Sequence, residues 1–350
     1  MYKISFPVTA LLLVTFLILL MPVFIANANA SDSDGDAQPD NLAFNQTTAI
    51  EQSAVKISTG KKSGYFTYQI GGPISNGIAV QQAHFPISEL IFPLNVKTIQ
   101  FSYFMQLKNQ WRIETSLETN YSTGSGTMED SDWGVASDLV DGATSNPDSL
   151  DAFSESRSEL QLYEAQLHIE RYYSDFQAPF GYESLGMYIG LGFTVAQYDF
   201  SIFDVRQIYP SLSLEPVSVD GKVLSYEYTL FTPYASVLFI TPEYKNSNLS
   251  VKLSLSPFAY ITDYDDHILR EKLSNGSSGG LDFKAEFQFG WRLTKTDEIF
   301  FSYAYQLTSA TGWQTQTSQE ILDSGADEYK LKLKHDGEQV NIKIGWIVYL

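Results

Sequence analysis

From Leu281 to Leu293 the chain alternates between two kinds of residue. Leu281, Phe283, Ala285, Phe287, Phe289, Trp291 and Leu293 fall on one side, and Asp282, Lys284, Glu286, Gln288 and Arg292 fall on the other. A period of two held this long dictates a β-strand with one apolar and one polar face. Leu249, Val251, Leu253 and Leu255 repeat the pattern against Ser250, Lys252, Ser254 and Ser256, as do Val340, Ile342, Ile344, Trp346, Val348 and Leu350 against Asn341 and Lys343. Trp111, Ile113, Leu117 and Tyr121 oppose Arg112, Glu114, Ser116, Glu118 and Asn120 in the same way.

Two architectures accommodate such strands. A soluble sandwich or barrel turns the apolar faces inward and uses strands of about five or six residues. A membrane barrel turns them out to lipid and lines its lumen with polar side chains. The second fits better, because the strands are long and their polar faces carry Lys, Arg and Glu. Aromatic residues also gather near strand ends, as in Phe101-Ser102-Tyr103-Phe104 and from Tyr182 to Tyr188, where interfacial girdles sit. The expected fold is all-β: an antiparallel transmembrane barrel of about ten strands that protrudes above the outer membrane. The strands are expected at 51–70, 87–107, 111–124, 158–173, 184–205, 222–240, 248–264, 280–294, 298–311 and 326–350. Short connections near Lys108-Asn109, Tyr244 to Asn248 and Lys295-Thr296 alternate with long ones. An even strand number closes the ring with both termini on the periplasmic side. Side chains can largely fill a barrel of this size, which leaves the rim as the place for function.

Ahead of the barrel, residues 1–30 read as a secretory signal: Lys3, an apolar run from Phe6 to Ile25, and Ala28-Asn29-Ala30 as the cleavage site. Residues 31–50 form an acidic segment in which Asp32, Asp34, Asp36 and Asp40 surround Gly35. That spacing suggests the start of a calcium loop but lacks its distal Glu, so a solvated tail is the simpler reading. Residues 51–350 are the barrel. The absence of cysteine excludes thiol catalysis and disulfides, and the net charge of −19 argues against nucleic acid and for cationic partners. His84, His168, His267 and His335 show no metal-ligand spacing.

The acidic residues are concentrated in two rim segments. Glu129, Asp130, Asp132, Asp138, Asp141, Asp148, Asp151, Glu155 and Glu159 follow the third strand, with Arg157 the single base. Asp263, Asp265, Asp266 and Glu271 follow the seventh, with Arg270 and Lys272. Such runs are often only a solvated surface. Here Asp130 and Asp132 are two residues apart, so in an extended segment both carboxylates face one way and resist double ionisation. Asp265 and His267 share that spacing, which lets a carboxylate orient an imidazole that accepts a proton from water. On facing segments the two pairs could form a water-activating site. The phase of Leu249 to Leu255 would turn 263, 265 and 267 outward. Ser256-Pro257 interrupts the run, and a one-residue bulge there would turn them inward.

At these residues the chain resembles the omptins, ten-stranded outer-membrane barrel proteases. The likeness is sharpest in Asp130-Ser131-Asp132-Trp133 and Asp263-Tyr264-Asp265-Asp266-His267, with weaker echoes at Gly71-Gly72 and Thr232-Pro233-Tyr234. It places both motifs in outer loops. It implies an endopeptidase cleaving near basic residues, with Asp265–His267 and Asp130–Asp132 activating the attacking water and no acyl-enzyme. Asp263 matches one carboxylate of the family's pocket for a basic side chain; Gly64 stands at the position of the other. Near Phe193 to Gln197 the residues matching the family's basic lipopolysaccharide contacts are apolar or neutral. The resemblance implies no cofactor, cationic peptide or protein substrates, contact with outer-membrane lipid (lipopolysaccharide included), and a monomer in the outer membrane of a Gram-negative bacterium with its site facing outside. A catalytically silent barrel acting as adhesin or structural protein, and a small porin, are the alternatives.

Overall fold

In the computed structural model, residues 50–75, 80–82, 84–108, 110–176, 185–318 and 328–350 are described. The expected signal and the aspartates of the acidic tail lie outside them. Thirteen strands form one antiparallel sheet: β1 (Ile50–Ser75), β2 (Val80–Gln82), β3 (Ser88–Pro93), β4 (Val96–Leu107), β5 (Trp111–Asn120), β6 (Gly124–Trp133), β7 (Leu150–Phe176), β8 (Leu185–Ile208), β9 (Val217–Ile240), β10 (Ser247–His267), β11 (Lys272–Arg292), β12 (Asp297–Ser318) and β13 (Tyr329–Tyr349). β1 pairs with β13 from Ala54↔Tyr349 to Gly71↔Lys332, which closes the sheet. At the turn end the ring runs β13-β12-β11-β10-β9-β8-β7-β5-β4-β1; at the loop end β3 and β6 replace β4 and β5 between β1 and β7. Either way the ring has ten members, as expected.

The turn-end half carries the apolar belt. Ile57, Phe101, Ile189, Leu191, Leu255, Leu281, Phe289, Ile344 and Trp346 are exposed on the outer wall, while Ser58, Ser102, Glu118, Ser254 and Glu298 are buried inside. This inverts the partition of a soluble core, because the outer solvent is hydrocarbon. Several charges facing the lumen are paired there. Lys62 Nζ donates to Glu164 at 2.7 Å and lies 3.9 Å from Glu118, Arg112 lies 3.3 Å from Glu170, and His168 Nε2 is 2.8 Å from the same carboxylate. A cavity of about 340 Å³ opens among such groups. Beyond them rings fill the lumen: Phe66 stacks on Tyr228 at 3.9 Å, Phe92 on Tyr226 at 4.6 Å and Tyr198 on Tyr228 at 4.4 Å.

Several strands reach farther than the alternation indicates. β7 begins at Leu150 and β11 at Lys272, well beyond the belt. Above lipid the outer face needs no apolar residues, so the period-two signal fades while the ladder continues. For the same reason Asp130 and Asp132 lie within β6, and Asp263, Asp265 and His267 within β10, rather than in loops. The bulge in β10 is present. Ser256 pairs with Asp282 and Ala259 with Gly280, so one strand advances three residues while its partner advances two. Before it Leu253 and Leu255 are exposed; after it Phe258 and Tyr260 are exposed and Ala259, Ile261, Asp263 and Asp265 are buried. The extra residue turns the whole acidic segment inward.

The belt assignment has a direct check. Phe287 faces outward in the belt and Gln288 borders the lumen cavity. Phe287→Arg is expected to cost about 2–4 kcal/mol in reversible folding titrations into lipid vesicles, with Gln288→Arg costing less.

Candidate active site

At the loop end β6 and β10 face each other across the lumen. β6 is wedged between β3 and β7, with Asp130 opposite Leu90 and Ser154. A register shift between Gly124 and Gly126 starts the strand, after which Met128 and Asp132 are buried inside and Asp130 shares their phase. Across the lumen, Asp263, Asp265 and His267 occupy consecutive inward positions, and Asp266 takes the opposite face. Asp265 and His267 are thus separated by two residues, roughly 6.6 Å of strand.

A 3-10 turn at Ile268–Arg270 follows His267 and is closed by Glu271 in the left-handed conformation. It brings Arg270 back over the lumen, where Nη2 donates to Asp132 Oδ2 at 3.2 Å. That ion pair joins the two acidic segments. Asp130, His267 and Arg270 also line one cavity of about 60 Å³, closed below by Met128, Ile202, Val223 and Leu224. The volume admits water, and the cavity presents polar atoms to hold it.

Electrostatics in this cluster separate three of the groups, Asp130, Asp265 and His267. Burial, then the Asp132 charge, pushes the Asp130 carboxyl well above the usual range, although Arg270 and Lys272 oppose the shift. Burial and the Asp263 charge likewise raise Asp265 to about 7, against Lys272 and Arg270. His267 moves the other way, down to about 3, through burial and the Arg270 and Lys272 charges. The surroundings thus favour the protonated form of Asp130 and the neutral imidazole of His267. Asp265 titrates in the neutral range. Among the described residues no group of three or more His, Asp or Glu side chains is placed to hold a metal ion.

Asp263 lies deeper. Its Oδ2 is 3.3 Å from His335 Nε2, and both side chains are fully buried. Gly64, expected opposite it, cannot contribute a side chain. A Cβ there would lie 2.0 Å from the Glu338 carbonyl oxygen, and its φ of +128° is one that glycine tolerates. It sits where β1 passes its pairing from β4 to β3, its carbonyl accepting from Leu94 N at 3.0 Å. Sequence spacing gave His335 no role, and Arg270 and Lys272 counted only as loop charges. The inward phase of β13 could have pointed to His335, since residues 331 to 339 alternate with 335 on the buried side.

The model of the omptin family matches residues 81–329. The chain belongs to the omptin family. No curated protein matches it by sequence. Among solved structures it is similar to the outer membrane protease OmpT from Escherichia coli, at 16% identity over 86% of this chain and 97% of that one, with a TM-score of 0.68. Likeness to the outer membrane protein OprG from Pseudomonas aeruginosa is weaker, at 10% identity over 85% and 96% and a TM-score of 0.37. This omptin is thus an outer-membrane barrel of a protease family.

Arg270 offers a test of the site's electrostatics. Arg270→Gln removes a positive charge that holds down the pKa of Asp130, Asp265 and His267 alike. All three are expected to titrate at higher pH than in the parent. Carboxyl ¹³C and imidazole NMR titrations in detergent micelles read those shifts.

Proposed function

We propose that this omptin is an endopeptidase that hydrolyses peptide bonds near basic residues with an activated water, at an active site facing outside the cell. The observation that carries the reading is the placement of Asp130 and His267 on one small cavity at the lumen mouth, with Asp132 and Asp265 beside them. Water in that cavity attacks the carbonyl carbon and passes its proton to the neutral His267 imidazole. Ionised Asp265, on the same face of β10, offsets the imidazolium charge. Asp130, whose protonated form is favoured by burial and then by the Asp132 charge, donates its proton to the leaving amine. No covalent acyl-enzyme forms. The acidic rim concentrates cationic polypeptides at the mouth, from either the free or the membrane-bound pool.

One observation favours a silent barrel instead. The Arg270 guanidinium already neutralises Asp132, and its charge suppresses the basicity of His267. Activity decides between the two.

The pH profile follows from the shifts. Ionised Asp265 accumulates as pH rises through about 7, while His267 stays neutral at any pH well above 3. The rate constant kcat/KM is expected to climb through about pH 7 as Asp265 ionises. With refolded protein and a library of basic peptides, His267→Ala should lower kcat by about 10²–10⁴-fold. Parent and His267→Ala proteins that are equally inactive on every peptide, with and without lipopolysaccharide, would end the peptidase reading.

A further inference from the structure

The cavity of about 340 Å³ lies in the turn-end half of the lumen, beneath the aromatic stack and away from the acidic mouth. It exists because inward positions there are short: Ser250 on β10, and Ser302 and Ala304 on β12. Thr241 and the exposed Glu243, where β9 turns into β10, also line it, which opens it at the end opposite the candidate active site. A volume in this range holds a small molecule.

Most charges along its wall have partners. Glu114 is held by Lys56 at 3.1 Å and Glu170 by Arg112 at 3.3 Å. Glu243 and Glu298 share Arg292, at 3.0 and 4.0 Å, and Lys343 donates to Gln100 at 2.8 Å and to Glu118. Lys252 and Lys284 remain, with one carboxylate between them. Glu286 lies 3.8 Å from Lys284, two residues along β11, and stands opposite Lys252 in the β10–β11 ladder. Among the described residues Lys252 makes no ion pair and no hydrogen bond; its ammonium lies 5.9 Å from the centre of the Tyr234 ring.

The strand holds Lys252 in this position. Its neighbour Leu253 is exposed on the belt, so the alternation commits Lys252 to the lumen. A charge enclosed by hydrocarbon needs a counter-charge or water. Two ammonium groups that share one carboxylate leave this wall with a net positive charge. Another part of the wall is apolar: Ala54, Phe104, Phe300 and Ile347 form one buried cluster, and Leu238 lines the same cavity. Cations and an apolar wall in one cavity fit a carboxylate with a short hydrocarbon body better than an inorganic ion, which would leave that wall against water.

We propose that the turn-end cavity is a binding site for a small organic carboxylate, whose oxygens accept hydrogen bonds from Lys252 and Lys284 while its hydrocarbon body packs against Phe104, Phe300 and Ile347. The ligand supplies the anion that the wall lacks. Hydrogen bonds from ammonium to carboxylate are among the stronger ones, and here they form out of bulk water. The site is independent of the peptidase reading. The aromatic stack lies between it and the acidic mouth, and no residue lines both cavities.

The test titrates refolded protein in detergent micelles with benzoate, and with benzamide as the uncharged control, by isothermal titration calorimetry. Benzoate should bind the parent saturably and benzamide should not. Lys252→Met should weaken benzoate binding at least about tenfold, and Lys252→Arg, which keeps the charge, should retain it. Glu286→Gln frees both lysines from their shared carboxylate and should bind benzoate more tightly than the parent. That arm keeps the proposal testable if the methionine variant does not fold. No saturable benzoate binding at about 10 mM, or benzamide binding as well as benzoate, overturns the proposal. So does a Glu286→Gln protein that binds benzoate no more tightly than the parent, or a folded Lys252→Met protein that binds it equally well.

Discussion

Everything in this molecule depends on the pairing of β1 with β13. A strand in hydrocarbon has no water to satisfy its backbone, so the sheet must close or remain outside the membrane. Closure is made along nearly the whole of β1, from Ala54↔Tyr349 to Gly71↔Lys332. Once the ring is closed, one face of every strand meets lipid and the other meets a narrow lumen. The polar residues that alternate with the apolar belt have nowhere else to go. They become a buried network of ion pairs such as Lys62–Glu164 and Arg112–Glu170, which is retained because the alternative is charge in lipid rather than charge in water. The aromatic stack of Phe66, Phe92, Tyr198, Tyr226 and Tyr228 then gives the acidic segments a solid floor.

The fold was readable because lipid enforces the alternation. All ten ring positions correspond to runs visible in the sequence, and Pro257 marked the place where the phase of β10 had to change. Strand lengths were less accessible. Leu150 to Ser158 and Leu273 to Gly280 alternate poorly because their outer faces meet water, so the ladder continues where the pattern does not. The same loss of pattern hid the fact that Asp130 and Asp132 stand on a strand. Their common direction survived this, since extended backbone gives it with or without a partner.

The site was readable to the extent that it is local. Asp130 and Asp132, or Asp265 and His267, are near neighbours in sequence, and spacing alone puts each pair on one face. Contacts across the barrel are different. Arg270 reaches Asp132 only because a 3-10 turn folds it back, and His335 reaches Asp263 only because the stagger of three strands brings β13 level with β10. Nothing in the spacing of His335 to any acidic residue encodes that stagger. Gly64 could not be judged from alignment of residue types either, since its role is steric: it lies where a Cβ would strike the Glu338 carbonyl.

These cross-barrel contacts share a cause. Several carboxylates brought into a dry lumen mouth cannot all remain ionised without nearby cations. Two responses are visible. Some groups are driven towards the neutral form, as Asp130 is by burial, and Asp132 acquires a resident base in Arg270. The resident base changes the charge that the acidic site presents. At long range the excess of carboxylates still leaves a negative field at the mouth, because that field depends on net charge. At contact range part of that charge is already answered by Arg270, which holds Asp132. The field at the mouth and the charge met inside the site are therefore set by different residues: the first by the sum of the carboxylates, the second by where Arg270 is folded back.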